Sequence, residues 1–321
     1  MRRVAALAAM RSLGLPTVSA LVVSLFAVSS SAALIAYAAA PALAIAFWRN
    51  ALAVGVIAPV AIAGRRHQLA DLFRPGDGRR AGLLSVLAGF ALAGHFGTWV
   101  PSAKLTSVAT ATALVATQPV WAALIARLRG IPVPSATWLG VGLAVVGAAL
   151  ATGADVSVSA RAVAGDMLAL VGGAAGAIYT TFGERARVTT STLAYTTVCY
   201  TVCAAVLCVV CLVGGASLHG YPPQAWLAIA ALTAGPQLLG HSLLNYTLRR
   251  ISATTISVLL LLEVPGSALL GWALVGQVPA LRSLPGLVVL VCGVGIAVVG
   301  SARRGVAAPA ARAVTAPPGE L

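Results

Sequence analysis

Ten long apolar runs constrain the fold of this chain more than any other feature of its sequence. Each is about 20 residues long, the length at which a helix crosses a bilayer's roughly 30 Å hydrocarbon core. Only 9% of the 321 residues are charged and the mean hydropathy is +0.96, whereas a soluble domain carries about 25% charged residues. The sequence therefore predicts an integral membrane protein whose main partner is the lipid bilayer.

The predicted fold class is all-α, a polytopic membrane protein with ten transmembrane helices. Backbone groups in hydrocarbon must be paired within their own segment, and the alternating pattern of a membrane barrel is absent. The first run resembles a signal peptide, but it is too long and a second run follows it at once, so we interpret it as an uncleaved helix. The predicted helices lie at approximately 17–39, 42–63, 82–102, 106–126, 135–153, 165–183, 192–213, 225–247, 252–274 and 283–301.

The basic residues predict the orientation of the chain in the membrane. The net charge is +14, but no basic face with interleaved aromatic residues exists, so no nucleic-acid partner is expected. One set of connecting segments holds Arg2, Arg3, Arg11, Arg65, Arg66, Arg74, Arg79, Arg80, Arg127, Arg129, Arg185, Arg187, Arg249, Arg250, Arg303, Arg304 and Arg312. The other set holds only Lys104, Arg161 and Arg282. Because basic loops stay cytoplasmic, both termini are predicted to be cytoplasmic, with the chain in the inner (plasma) membrane.

The chain repeats itself at a spacing of about half its length. Gly94-His95 recurs 146 residues later as Gly240-His241, and Val133-Pro134 recurs 145 residues later as Val278-Pro279. Each half contains five predicted helices, an odd number, so the second half enters the membrane the other way up. We therefore predict two inverted five-helix repeats, the usual architecture of alternating-access carriers.

The predicted domain boundaries follow from this repeat. They are a cytoplasmic N-terminal segment at 1–16, a first repeat at 17–153, a second repeat at 165–301, and a tail at 302–321. The tail is rich in alanine and proline, so we expect it to be disordered and cytoplasmic.

Two stretches and one cluster resemble the EamA-type family of the drug/metabolite transporter superfamily. Residues 86–126 include GHFGTWVPSAKLTSVATATALVATQPVW, residues 229–278 include GPQLLGHSLLNYTLRRISATT, and the second helix carries Phe47-Trp48-Arg49-Asn50. The resemblance implies a ten-helix carrier of two inverted repeats that exports amino acids, other metabolites or drugs. The chain departs from the family pattern at Glu263-Val264-Pro265, where the family has Glu-Pro-Val, and at Gly276-Gln277, where it often has Gly-Glu.

Two ionisable residues inside the apolar runs are candidate functional groups, because a charge within a bilayer usually faces a cavity or a partner. Glu263 is the only acidic residue well inside a span. It is either a proton-coupling group or a hydrogen-bonded residue that ties helices together. Arg49 is a candidate ligand for a substrate carboxylate. Alternatively, its side chain reaches the membrane surface or pairs with Glu263.

Further polar residues in the runs predict the wall of a substrate site. Gln237, His241 and Asn245 are spaced by four along the eighth helix and therefore share one face, which must contact protein or water. His95 and Trp99 occupy the repeat-related place on the third helix. With Arg49, these five residues form the predicted substrate-binding set. Packing residues are the alternative for the histidines.

Two prolines are candidate hinges. Pro119 follows Gln118 in the fourth helix, and Pro265 follows Glu263 at the corresponding place in the ninth. A proline removes one helical hydrogen bond, which either permits bending or gives a static kink.

The remaining motifs exclude several other functions. Four of the five cysteines share one apolar run with no His, Asp or Glu among them, so they are interpreted as packing residues and no metal is expected. Catalytic clusters and nucleotide-binding loops are absent, so neither an enzyme nor any cofactor is predicted. The predicted function is a secondary transporter of a small metabolite, an exporter coupled to protons. The alternatives are a passive facilitator or exchanger of a nucleoside or other metabolite, or a membrane scaffold; a homodimer is left open.

Overall fold

The structure is a computed structural model that describes residues 14–106, 108–152, 159–275, 281 and 284–315. Its described part is helical and contains no strand. Eight of its helices are long and apolar enough to cross a membrane, and two shorter apolar helices complete the ten-helix arrangement. We number the ten helices in chain order. They are α1 (Leu15–Tyr37), α2 (Ala42–Asp71), α3 (Asp77–Leu105), α4 (Val108–Val115 with Gln118–Leu128), α5 (Ser135–Thr152), α6 (Ala160–Ala186), α7 (Thr192–Val213), α8 (Pro223–Thr247), α9 (Ala253–Leu260 with Glu263–Val275) and α10 (Leu284–Thr315).

Several helices extend beyond the predicted apolar runs. α2 ends at Asp71 rather than near residue 63, and α3 begins at Asp77 rather than near residue 82. At 1.5 Å per residue each helix is about 45 Å long, so its polar end extends beyond the hydrocarbon core. Hydropathy detects only the part of a helix that lies within that core. α10 continues to Thr315, so the disorder that we predicted for the tail is not seen as far as this residue. The many alanines of the tail favour helix. Residues 1–13 of the predicted N-terminal segment, and 316–321 of the tail, lie outside the described residues.

The fourth helix of each repeat is broken at the same place. α4 consists of Val108–Val115 and Gln118–Leu128, and α9 consists of Ala253–Leu260 and Glu263–Val275. Pro119 lies in the first turn of its segment, where a missing N–H costs nothing, and Pro265 is the third residue of its own. The two candidate hinge prolines therefore follow helix breaks rather than kink continuous helices.

The outer surface of the bundle is apolar, as a surface in contact with lipid must be. Phe26, Leu227 and Leu239 have exposed fractions of 68%, 70% and 51%. The largest buried cluster joins helices of both repeats and includes the fully buried Phe96, Tyr195 and Tyr200. Polar side chains turn inward, so the arrangement of a soluble protein is reversed.

α5 and α10, the last helices of the two repeats, approach each other at backbone distance. A Cβ atom added to Gly293 would lie 2.4 Å from the Ala144 backbone nitrogen, and one added to Gly140 would lie 2.4 Å from that of Ala297. Small residues permit this approach, which supplies van der Waals contact where lipid provides no hydrophobic driving force between helices. The two repeats are therefore joined closely along α5 and α10.

Gly293→Ala is expected to destabilise the folded protein by about 2 kcal/mol, the usual cost of overpacking a tight contact. Gly295→Ala, two residues away on the same helix, is the matched control, because an added Cβ there meets nothing within 4 Å. Thermal unfolding of the purified protein in detergent measures both. Equal melting temperatures for the two variants would contradict the close α5–α10 contact.

Candidate functional site

A small cavity lies in the middle of the bundle, between the two repeats. Its volume is about 50 Å³, room for only a few waters and far below the 300 Å³ or more of a typical ligand pocket. Helices of both repeats contribute to its wall. The lining residues are Val28, Ser31, His95, Trp99, Thr112, Val115, Ala116, Gln118, His241, Ser257, Leu260, Leu261 and Glu263.

Most of these lining residues form repeat-related pairs. His95 and His241 are separated by 146 residues. Four further pairs are separated by 145 residues, namely Thr112 with Ser257, Val115 with Leu260, Ala116 with Leu261, and Gln118 with Glu263. Equivalent positions of two inverted repeats meet only around the axis that relates them. The cavity therefore lies on the internal pseudo-two-fold axis.

Aromatic and imidazole rings form one wall of the cavity. The His95 and Trp99 rings stack at 5.9 Å between centroids, and the His241 ring lies 6.3 Å from that of His95. His95 Nδ1 lies 2.8 Å from the Gly172 carbonyl oxygen. Because a carbonyl only accepts, Nδ1 carries the hydrogen, and Nε2 is left as the acceptor. His241 Nδ1 and Trp99 Nε1 are buried without a hydrogen-bond partner among the described residues.

Glu263 supplies the carboxylate of the cavity. It begins the second segment of α9 and is partly exposed to the cavity space. Within the described part of the chain, its carboxylate forms neither a hydrogen bond nor an ion pair within 4 Å. It interacts with Arg49 only at longer range. Direct pairing of Arg49 with Glu263, one alternative from the sequence, is thus absent in this conformation.

Arg49 is fully buried behind the histidine wall. Its Nε donates to Gln237 Oε1 at 3.0 Å, and its guanidinium lies 4.1 Å from the centroid of the Phe96 ring. Neither terminal nitrogen has a hydrogen-bond partner among the described residues. The side chain has no exposed surface, so it does not reach the membrane interface. Phe96 in turn contacts His241 edge-on at 5.2 Å and lies between the guanidinium and the cavity wall.

The polar stripe of α8 divides between packing and cavity. Gln237 and Asn245 are fully buried, and neither lines the cavity. Gln237 Nε2 donates to Asn50 Oδ1 at 3.1 Å, and Asn245 Oδ1 accepts from the Tyr179 hydroxyl at 2.8 Å. Of the predicted substrate-binding set, His95, Trp99 and His241 line the cavity, whereas Arg49, Gln237 and Asn245 lie behind its wall. Substrate contact by any of the six stays a prediction.

A π-helical segment, Thr233–His241, runs through the stripe and was not predicted. π-Helical turns are rare and occur often at functional sites. Gly235-Pro236 is the signal in the sequence, because proline lacks the N–H that a regular α-helix requires there. The wider turn carries Gln237 to Arg49 and His241 to the cavity.

Arg187, at the C-terminal end of α6, is a buried arginine with a different environment. Its Nε donates to the Asn245 backbone oxygen at 3.0 Å, its NH1 group donates to the Thr190 carbonyl oxygen, and its NH2 group donates to Thr192 Oγ1 at 2.7 Å. Burial lowers the pKa of Arg187 to about 10, so it stays protonated at neutral pH. Every guanidinium nitrogen is used, so this arginine holds α6, α7 and α8 together.

Sequence reasoning missed Thr112 and Ser257 as cavity residues. Ser257 Oγ accepts a 3.0 Å hydrogen bond from Gln118 Nε2, which joins α4 to α9. Hydroxyl residues are common in apolar helices and carry little signal alone. Their spacing of 145 residues, equal to that of Gln118 and Glu263, is the signal that identifies them.

The structure and the comparisons together define the class. The chain is a multi-pass membrane protein of two inverted five-helix repeats that enclose a polar cavity. A family model, that of the EamA-like transporter family, matches residues 15–153 and 163–299. The chain belongs to the EamA-like transporter family.

The solved structures support the same fold. Among 21 matching chains is a crystal structure, described only as that of a protein, with a TM-score of 0.71. The match covers 92% of this chain and 98% of the other at 20% sequence identity. No curated protein matches the chain.

Proposed function

We propose that this chain is a secondary transporter that exports a small zwitterionic metabolite, such as an amino acid, by alternating access in exchange for protons. The observation that carries the proposal is the cavity of repeat-related pairs on the internal axis. A site at that place contacts both halves equally, so relative movement of the halves exposes it to either side of the membrane. A cavity of about 50 Å³ must widen to hold a solute, which fits a carrier better than an open pore.

The charges around the cavity favour a zwitterionic substrate. Glu263 on α9 is an acidic group, free to bind an ammonium. On the far side of the histidine wall, Arg49 presents two terminal nitrogens without a partner in the described structure. Unpaired buried donors are costly, so a substrate carboxylate that bonds both is stabilised there. Movement of Phe96, which separates Arg49 from the cavity, is the change that connects the two charges.

Proton coupling is assigned to Glu263. A proton and a substrate ammonium compete for one carboxylate, so each leaves when the other binds, and the two move in opposite directions. The other charged or titratable groups around it are His95 and His241 in the cavity wall and Arg49 behind it. None of the three is a carboxylate, so among the lining residues Glu263 is the group at which an ammonium can replace a proton. Competition at a single group is sufficient for antiport.

The orientation is proposed from the basic residues. Arg127, Arg129, Arg249 and Arg250 lie at one end of the bundle, which we call the arginine-rich end. Surface hollows at this end bring together the α2–α3, α6–α7 and α8–α9 connections. The arginine-rich end is assigned to the cytoplasm of a plasma membrane, with both termini on that side.

A thermal-shift screen of the purified full-length protein against amino acids, amines, carboxylic acids and nucleosides tests the substrate class. An amino acid present at 100 times its dissociation constant is expected to stabilise the fold by about 2.7 kcal/mol. The matching amine and carboxylic acid, each with one charge, are expected to give smaller shifts at the same concentration. Stabilisation by nucleosides and not by amino acids would contradict the zwitterionic substrate and favour a nucleoside carrier.

A further inference from the structure

We infer that two repeat-related pairs, Gln118 with Ser257 and Glu263 with Thr112, are the two gates of the central cavity and close alternately. The inference rests on the proposed transport function and assigns the residues that control access. Gln118 corresponds to Glu263 and Ser257 to Thr112, each at a spacing of 145 residues. The inverted repeat therefore turns one pair into the other at the opposite side of the membrane.

The first gate is closed in this structure. Gln118 Nε2 donates to Ser257 Oγ at 3.0 Å, and both residues are buried in the cavity wall. α4 and α9 run antiparallel, and beyond this bond both continue towards the arginine-rich end. The bond therefore joins the two helices on that side of the cavity.

A second hollow lies directly behind this bond. It has a volume of about 180 Å³ and opens at the arginine-rich end. Ala122 and Ala126 of α4 line it together with Ala253 and Thr254 of α9, about one to two helical turns beyond Gln118 and Ser257. It shares no lining residue with the central cavity. The Gln118–Ser257 pair thus separates a vestibule from the cavity.

The vestibule mouth carries a weak ion pair. Arg129 and Glu184 approach to 3.9 Å and are each about 30% exposed, a geometry worth little in stability. This pair therefore opposes entry only weakly. The ion pair joins the end of α4 to α6, whereas the Gln118–Ser257 hydrogen bond, one level deeper, joins α4 to α9.

In the second gate, Glu263 with Thr112, the carboxylate of Glu263 does not hold the gate closed. Glu263 lies about six residues along α9 from Ser257, roughly 9 Å further from the arginine-rich end. Its carboxylate has no hydrogen bond within the described chain. One pair is thus bonded while the carboxylate of its symmetry mate is not. An inverted repeat with one gate bonded is the arrangement expected of one of two states that the internal pseudo-two-fold axis relates.

Ser257→Ala tests the closed gate through access rather than transport. A Leu260→Cys reporter in the cavity is labelled in sealed membrane vesicles of known orientation with a membrane-impermeant thiol reagent, and mass spectrometry reads the modified peptide. Without the gate substitution, labelling is expected mainly from the end opposite the arginines. Ser257→Ala is expected to raise labelling from the arginine-rich end roughly five-fold, the effect of losing one hydrogen bond.

Two controls separate a gate from general loosening. Ser257→Thr keeps the hydroxyl and should leave labelling near the reporter's own level. Ser85→Ala removes an equally buried hydroxyl whose bond, at 2.7 Å to Ala81 O, stays within α3, and it should change nothing. Unchanged labelling with Ser257→Ala, or an equal rise with Ser85→Ala, would overturn the inference.

Exchanging the gates gives the sharper test. The double variant Gln118→Glu with Glu263→Gln moves the amide to the opposite side, so labelling is expected to reverse and come mainly from the arginine-rich end. Labelling that still favours the original end would refute the assignment. The assay uses no substrate and no pH gradient. Reversed access in a protein that moves no solute would therefore reject the transport proposal and leave the gates standing.

Discussion

Glu263→Gln is expected to abolish accumulation of solute driven by a pH gradient in proteoliposomes. One pH unit is worth about 1.4 kcal/mol, so with one proton exchanged per solute the unsubstituted carrier should concentrate solute roughly tenfold in an acidic lumen. Glutamine has nearly the same shape but takes no proton, so the variant should only equilibrate the solute. Radiolabelled solute trapped by filtration measures the ratio.

Two measurements separate coupling from a structural role of Glu263. Exchange of labelled for unlabelled solute without a gradient should persist in Glu263→Gln, because exchange needs no net proton movement, but at a higher solute concentration, because glutamine binds the ammonium more weakly than a carboxylate does. Asp71→Asn removes a carboxylate that is paired with Arg74 at the protein surface, 2.8 Å away, and should keep the tenfold ratio. A Glu263→Gln carrier that still concentrates solute would show that this residue is not the coupling group and that protons are coupled elsewhere.

Arg49→Lys is expected to weaken binding of an amino acid substrate by roughly 30-fold, because it loses one of two charge-assisted hydrogen bonds to the substrate carboxylate, at a cost of about 2 kcal/mol. Lysine keeps the charge but cannot present the two terminal nitrogens that lack partners in the structure. The amine formed from the same substrate by loss of its carboxylate cannot bond to those nitrogens. Its affinity, which is lower than that of the amino acid, should therefore be the same for Arg49→Lys as for the unsubstituted protein. Calorimetry with both compounds gives the comparison.

Arg187→Lys is the matched control, a buried arginine whose hydrogen bonds are all made within the protein. It should lower the melting temperature while preserving the preference for the amino acid over the amine. Equal weakening of both compounds by Arg49→Lys would mean that Arg49 supports the fold through Gln237 and Phe96 and does not bind a carboxylate.

The fold was predictable because the bilayer imposes length and polarity on every span. α2 begins at Ala42 and α7 spans Thr192–Val213, as the apolar runs predict. The prediction was wrong at the C-terminal ends of α2 and α10 and at the N-terminal end of α3, where the helix continues beyond the apolar run. Local composition does not mark the end of such a helix, because polar residues outside the membrane are compatible with both helix and loop.

The site was predictable in part. The spacing of 146 residues drew attention to His95 and His241, and both line the cavity. The spacing of four along α8 grouped Gln237 and Asn245 with His241, but their side chains bond to Arg49, Asn50 and Tyr179 from other helices. A stripe on one helix indicates that its members avoid lipid. Such a stripe does not indicate whether its side chains contact other helices or line a cavity.

By itself, the sequence determined that this chain lies in a membrane, crosses it ten times and does so as two inverted halves, because hydropathy and repetition are properties of the chain order. Only the tertiary structure decided that two nitrogens of the buried Arg49 have no hydrogen-bond partner within the described residues, that Gln118 bonds to Ser257, and that Glu263 makes no bond to those residues in the cavity. The Gln118–Ser257 bond joins residues 139 positions apart, and the surroundings of Arg49 and Glu263 likewise depend on how distant helices pack.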